Sequence, residues 1–145
     1  MSSTLLDVAY GYLQIGPLSA LSSPDRPAND PLEFASVHNS VIYVQVGTHT
    51  GQVELDVTVV RDLQERSFGS AAWEELLYPV EERELRATSF HGLNESFRLF
   101  LPQEWVVARV RIVSERYSEA AERSVTGQQV DPLEHVRVEF APGSE

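Results

Sequence analysis

The sequence predicts an all-β fold, an antiparallel two-sheet β-sandwich of about eight strands. Three segments carry that reading. Residues 52–59 alternate, with Val53, Leu55, Val57 and Val59 on one face and Gln52, Glu54, Asp56 and Thr58 on the other. A side-chain period of two marks a strand with one buried and one solvated face. Residues 106–112 repeat the pattern, setting Val106, Ala108, Val110 and Ile112 against Arg109 and Arg111. Residues 135–140 close it, with Val136, Val138 and Phe140 inward and His135, Arg137 and Glu139 outward.

The remaining elements follow in chain order. Residues 5–15 read as a first strand, with Tyr10 and Tyr12 leaning outward as a candidate contact surface, and Pro17 ends it. Residues 16–36 form a Pro-rich loop, since Pro17, Pro24, Pro27 and Pro31 remove backbone donors and favour turns. A loop of that length is either functional or disordered. Residues 41–46 are apolar almost throughout, as a central strand requires. Gly47 and Gly51 then flank a tight turn, where positive φ costs glycine nothing.

Residues 73–82, WEELLYPVEE, are ambiguous. Trp73, Leu76, Leu77 and Val80 have helical spacing, but Pro79 would break a helix, and an edge strand tolerates it. Residues 85–90 and 96–101 are two short strands around a turn at Gly92 and Asn94. A helical turn fits at 118–123, and residues 142–145 are a frayed tail. The whole, residues 1–145, reads as a single domain.

Twenty-two acidic residues face eleven basic ones, all arginine, for a net charge of −11. That balance argues against nucleic acid and anionic membranes as partners and favours a basic protein such as a nuclease or toxin. The absence of lysine points to a GC-rich genome. Without cysteine there is no disulfide or thiolate chemistry. The first residues lack a basic start, and Asp7 interrupts their apolar stretch, so no secretory leader is expected. No run reaches the roughly 18 apolar residues of a membrane span. A cytoplasmic location follows as the expectation.

No motif supplies a reaction. The histidines, His38, His49, His91 and His135, show no spacing that would preform a metal site, and there is no nucleophile elbow or phosphate-binding loop. No catalytic residue and no cofactor is expected. A hydrolase or isomerase would need two or more of His38, His49, His91, Glu54 and Asp56 to converge. Arg109 and Arg111 either bind an anionic ligand or pair across strands with Glu54, Asp56 or Glu139, and pairing is favoured because acids outnumber arginines.

The order of features resembles a family of uncharacterised actinobacterial proteins similar to competence protein J, an inhibitor of a competence nuclease. The matching pieces are YGYLQI at 10–15, GTHTGQVELDV at 47–57, Trp73-Glu74-Glu75, ARVRIVSER at 108–116 and HVRVEFAP at 135–142. The family's closing strand is more hydrophobic and carries a tryptophan, where this chain has His135, Arg137 and Phe140. The acidic run at 81–84 stands out as particular to this chain.

The resemblance and the charge together imply a non-enzymatic protein-binding module of the immunity or nuclease-inhibitor kind. Its candidate contacts are Glu54, Asp56, Glu74, Glu75, Glu81 and Glu82. The alternative is a small-molecule or sugar-binding sandwich, using the Pro-rich loop with His49, Arg109 and Arg111. A homodimer through an edge strand is a further mode of association.

Overall fold

The inward row Val53, Leu55 and Val57 is buried, as are Ala108, Val110 and Ile112 and the row Val136, Val138 and Phe140. These rows belong to one five-stranded sheet in a computed structural model. The structure describes residues 2–8, 12–21, 34–48, 51–65, 67–69, 71–89, 92–93, 97–127 and 134–143. Eleven strands and one α-helix are present among the described residues.

The first sheet runs β1 (Ser2–Val8), β5 (Gly51–Val59), β11 (His135–Pro142), β10 (Val107–Glu115), β6 (Ala72–Pro79). The second runs β3 (Ala35–His38), β4 (Val41–Gln45), β2 (Tyr12–Gly16), β7 (Glu84–Ser89), β8 (Gly92–Leu93), and β9 (Leu99–Phe100) pairs with β7. Inner residues of both sheets, Leu13, Ile15, Ile42 and Leu85 among them, merge into one hydrophobic core. Tyr78 of β6 meets Phe140 of β11 edge-to-face there, at 6.3 Å between ring centres.

The two-sheet β fold is as the alternation requires, with three differences. The first sheet is mixed, because β11 lies parallel to β5, with His135 opposite Glu54 and Phe140 opposite Val59. Parallel neighbours need a long connection between them, and these two strands are separated by most of the domain. Residues 5–15 are two strands, not one. β1 joins the first sheet and β2 the second, where it pairs with both β4 and β7. Tyr12 is therefore buried rather than leaning outward, and Tyr10 lies outside the described residues.

The third difference is β3, which falls partly within the stretch expected to be loop. It forms a hairpin with β4 through Asn39 and Ser40, whose φ angles of 50° and 68° are those of a tight hairpin turn. Most of the Pro-rich loop lies outside the described residues. Of residues 73–82, the first seven lie in β6, at the edge of its sheet as Pro79 demands, and the last three begin the turn to β7. Val106, expected inward, is exposed because β10 begins one residue later, and Val59 is exposed at the end of β5.

The helix α1 (Tyr117–Val125) extends the expected helical turn and follows Arg116, whose φ of 71° turns the chain sharply out of β10. It packs on the segment after β4. A Cβ on Gly47 would collide with the carbonyl oxygen of Tyr117, so only glycine permits that approach. No helix among the described residues is long and apolar enough to cross a membrane.

Gly47→Ala should therefore lower stability by more than the about 1–3 kcal/mol of ordinary overpacking. Gly127→Ala, at φ +76° with open space around it, should cost only about 1–2 kcal/mol of backbone strain. Urea midpoints of the two variants would measure the gap, and equal midpoints would show that the helix does not depend on this contact.

Candidate functional site

The outer face of the first sheet carries most of the charged residues that the sequence singles out. Pairing register sets them in rows. Thr58, Glu139, Arg111 and Glu75 form one, Asp56, Arg137, Val113 and Trp73 the next, and Glu54, His135 and Glu115 a third. The Arg111 side chain is buried. Its Nε and Nη2 donate to Glu75 Oε2 at 2.9 and 2.8 Å, and its Nη1 donates to the Gln64 carbonyl at 2.7 Å. Glu139 approaches at 3.8 Å, and the ring of Phe68 stacks over the guanidinium at 5.2 Å.

Arg111 thus pins the described part of the 60–71 connection across the sheet. Phe68 also packs on Trp73, at 5.2 Å between ring centres. Arg109 reaches the other oxygen of Glu75 at 3.6 Å.

The expected cross-strand pairing is realised for Arg111 with Glu139, but Glu54 and Asp56 are not its partners. β11 stands between β5 and β10, two strand spacings of about 4.8 Å each. Asp56 instead faces His135, with Oδ2 at 3.6 Å from Nε2, and Arg137 turns to Glu115 at 3.3 Å. Glu74 lies opposite the buried Ile112, and so points to the other side of β6 from Glu75. Beside Asp56, a depression of about 230 Å³ is lined by Thr58, Arg137, Val138 and Glu139.

Glu81 and Glu82 occupy a different place, the turn between β6 and β7 at one end of the sandwich. Ser40 Oγ, from the β3–β4 turn, donates to Glu81 Oε1 at 2.8 Å. Ser19 Oγ, from a 3-10 turn at Leu18–Ala20, donates to Glu82 Oε2 at 2.8 Å. Tyr78 hydroxyl donates to the Ser40 carbonyl at 2.8 Å. Burial and the two nearby carboxylates push the Tyr78 phenol far above its ordinary value of 10.0. Among the described residues neither Glu81 nor Glu82 has an arginine partner, whereas Glu84 next to them is held by Arg98 at 2.8 Å.

The opposite end holds a group that sequence reasoning missed. Glu134 is fully buried. Its Oε2 accepts from Gly47 N–H at 2.9 Å and Ser114 Oγ at 2.5 Å, and its Oε1 from Thr48 N–H at 2.8 Å and Thr48 Oγ1 at 2.9 Å. Four donors converge on two oxygens, the pattern of a carboxylate matched without a cation. The nearby negative charge adds to burial in raising the phenol of Tyr117.

Convergence of catalytic type is not seen among the described residues. His38 meets Tyr43 edge-to-face in the second sheet, while Glu54 and Asp56 lie on the first. No cluster of three or more metal-ligating side chains occurs among the described residues. His49 and His91 lie outside them.

No family model matches the chain, and no curated protein matches it in sequence. Two solved structures share its fold. ComJ from Bacillus subtilis, inhibitor of the DNA degrading activity of NucA, superposes with a TM-score of 0.60 at 10% identity, covering 99% of this chain and 96% of that one. The product of crocagin biosynthetic gene J superposes with a TM-score of 0.55 at 14% identity, covering 99% and 100%. The likeness is one of fold.

Two outcomes test the geometry at either end. Glu134→Gln turns an amide N–H₂ toward fixed donors and should destabilise by about 1–3 kcal/mol. Denaturant titration would show this, and an unchanged midpoint would mean that the carboxylate is dispensable. Tyr78 keeps its proton in the folded state above the pH where an unfolded tyrosine loses it. Its contribution is therefore complete below pH 10 and falls as pH rises beyond that. Stability measured from pH 9 upward should decline, and Tyr78→Phe should flatten that decline.

Proposed function

We propose that this chain is an acidic, non-enzymatic protein-binding module of the inhibitor type, whose partner is a basic protein such as a nuclease. The observation that carries the reading is the β6–β7 turn. Glu81 and Glu82 are each fixed by a serine hydroxyl from a separate segment and are opposed by no arginine among the described residues. A carboxylate already oriented loses little freedom on binding, and one without a cation gives up no existing ion pair. On the sheet face, by contrast, Glu75, Glu115 and Glu139 already face arginines. Of these, Glu75 holds Arg111, which in turn ties down the 60–71 connection through the Gln64 carbonyl.

The net charge of −11 supports the reading, since it would accelerate encounter with a basic surface. The fold shared with ComJ, which inhibits the DNA degrading activity of NucA, supports the inhibitor class. Glu54 and Asp56, on the sheet face toward the opposite end, would serve only as separate secondary contacts.

Immobilised chain exposed to NucA and to a panel of basic nucleases should form a one-to-one complex with at least one of them. Its association rate should fall by about tenfold or more from low to high salt. Glu81→Lys with Glu82→Lys should slow association far more than Glu75→Gln. Absence of binding across the panel, or binding indifferent to salt, would overturn the reading.

A further inference from the structure

Three exposed apolar side chains lie on segments at the end of the sandwich that bears the β6–β7 turn: Leu18 at 54%, Phe100 at 61% and Val106 at 72% exposure. They come from three segments that the backbone ties to that turn. Leu18 precedes Ser19, which holds Glu82. Phe100 pairs with Glu84 across β9 and β7, and Leu101 N–H donates to the Arg83 carbonyl at 2.9 Å. Val106 carbonyl accepts from Val80 N–H at 2.9 Å. Around them stand Glu81, Glu82 and Glu104, for none of which an arginine partner exists among the described residues. Of the arginines in the same neighbourhood, Arg98 is paired with Glu84, and Arg83 donates from Nη2 to the Gln103 carbonyl. Arg83 Nη1 is buried without a hydrogen-bond partner among the described residues, so three carboxylates outnumber one uncompensated arginine.

A second exposed apolar pair, Trp73 and Leu77 on β6, fits a basic partner less well. Trp73 already rests on Phe68, and Leu77 lies directly across from Arg109, which would meet a basic surface with like charge.

We infer that Leu18, Phe100 and Val106 form the anchoring centre of a docking surface, ringed by Glu81, Glu82 and Glu104. Its occupant is an amphipathic segment of a basic protein, apolar side chains flanked by arginine or lysine. The inference rests on the protein-binding reading and adds the surface and the chemistry of what it takes. Apolar contact supplies the residence time, and the acidic ring supplies orientation and speed of encounter. A purely cationic ligand would use only the ring.

The test uses two peptides of equal positive charge, one with arginines interleaved with leucine and phenylalanine, the other with arginines interleaved with serine. Each is titrated into the isotope-labelled chain and followed by amide chemical shifts. The amphipathic peptide should bind about tenfold tighter and should shift amides at 18–20, 80–84 and 99–106. Phe100→Ser with Val106→Ser should erase the preference between peptides. Glu81→Gln with Glu82→Gln should weaken both. Equal affinity of the two peptides for the unaltered chain, or shifts centred on the face of the first sheet, would overturn the apolar docking surface and leave the acidic reading standing. Failure of both peptides to bind would overturn the two together.

Discussion

A carboxylate with no exposure to water must be met by donors or by charge, and the way Glu134 is met governs one end of this fold. Its four donors come from two parts of the chain, Gly47 and Thr48 after β4 and Ser114 in β10. Losing any one would strand part of a desolvated anion, at a cost larger than the net worth of a hydrogen bond. The same residue offers its carbonyl to Glu54 N–H at 2.9 Å, immediately before the ladder between β11 and β5 begins. The approach of α1 to Gly47 is fixed in the same place, with Ser124 Oγ donating to the Gly47 carbonyl at 3.3 Å. The carboxylate and carbonyl of one residue thereby tie together the start of the last strand, the end of β10 and the segment on which the helix rests.

The entry of β11 decides the electrostatics of the sheet face. Because it slides between β5 and β10, it interposes His135, Arg137 and Glu139 between the acids of one neighbour and the arginines of the other. Side chains then face near neighbours: Asp56 lies against His135, while Arg137 pairs with Glu115 and Arg111 with Glu75 and Glu139. The exposed members of such ladders contribute about 0–1 kcal/mol each. Arg111 differs, being buried beneath Phe68 and committed to the Gln64 carbonyl as well. An arginine so occupied holds the connection between β5 and β6 in place.

What could be read from the sequence was what depends on near neighbours. Alternation in β5, β10 and β11, the edge position of β6 and the helical turn at α1 each follow from local period or from a single proline. What escaped depends on which distant strands meet. Glu134 sits in a polar stretch, and nothing about a lone glutamate signals that it will be buried among two backbone N–H groups and two hydroxyls. The break of residues 5–15 into strands of different sheets leaves the apolar pattern nearly continuous. The partners of Arg109 and Arg111 could not be assigned without the parallel placement of β11, which no local period encodes. Ser19 and Ser40 look like ordinary loop polarity until the turn that carries Glu81 and Glu82 folds against them.

Those two serines link the acidic turn to the interior. Ser40 holds Glu81, and its carbonyl is held by the hydroxyl of Tyr78, whose ring packs on Phe140 in the core. Ser40 also adopts the positive φ that a two-residue hairpin needs, so its position is set by the turn itself. The Glu81 carboxylate is therefore three contacts from the centre of the hydrophobic core. A surface loop of glutamates with no such backing would present a diffuse negative field and would gain only the ordering that a partner imposed. This turn presents its charge beside Phe100, on a strand paired to β7, and near Leu18 and Val106 of two neighbouring segments. The position of the turn is thus set by contacts that run back to the core.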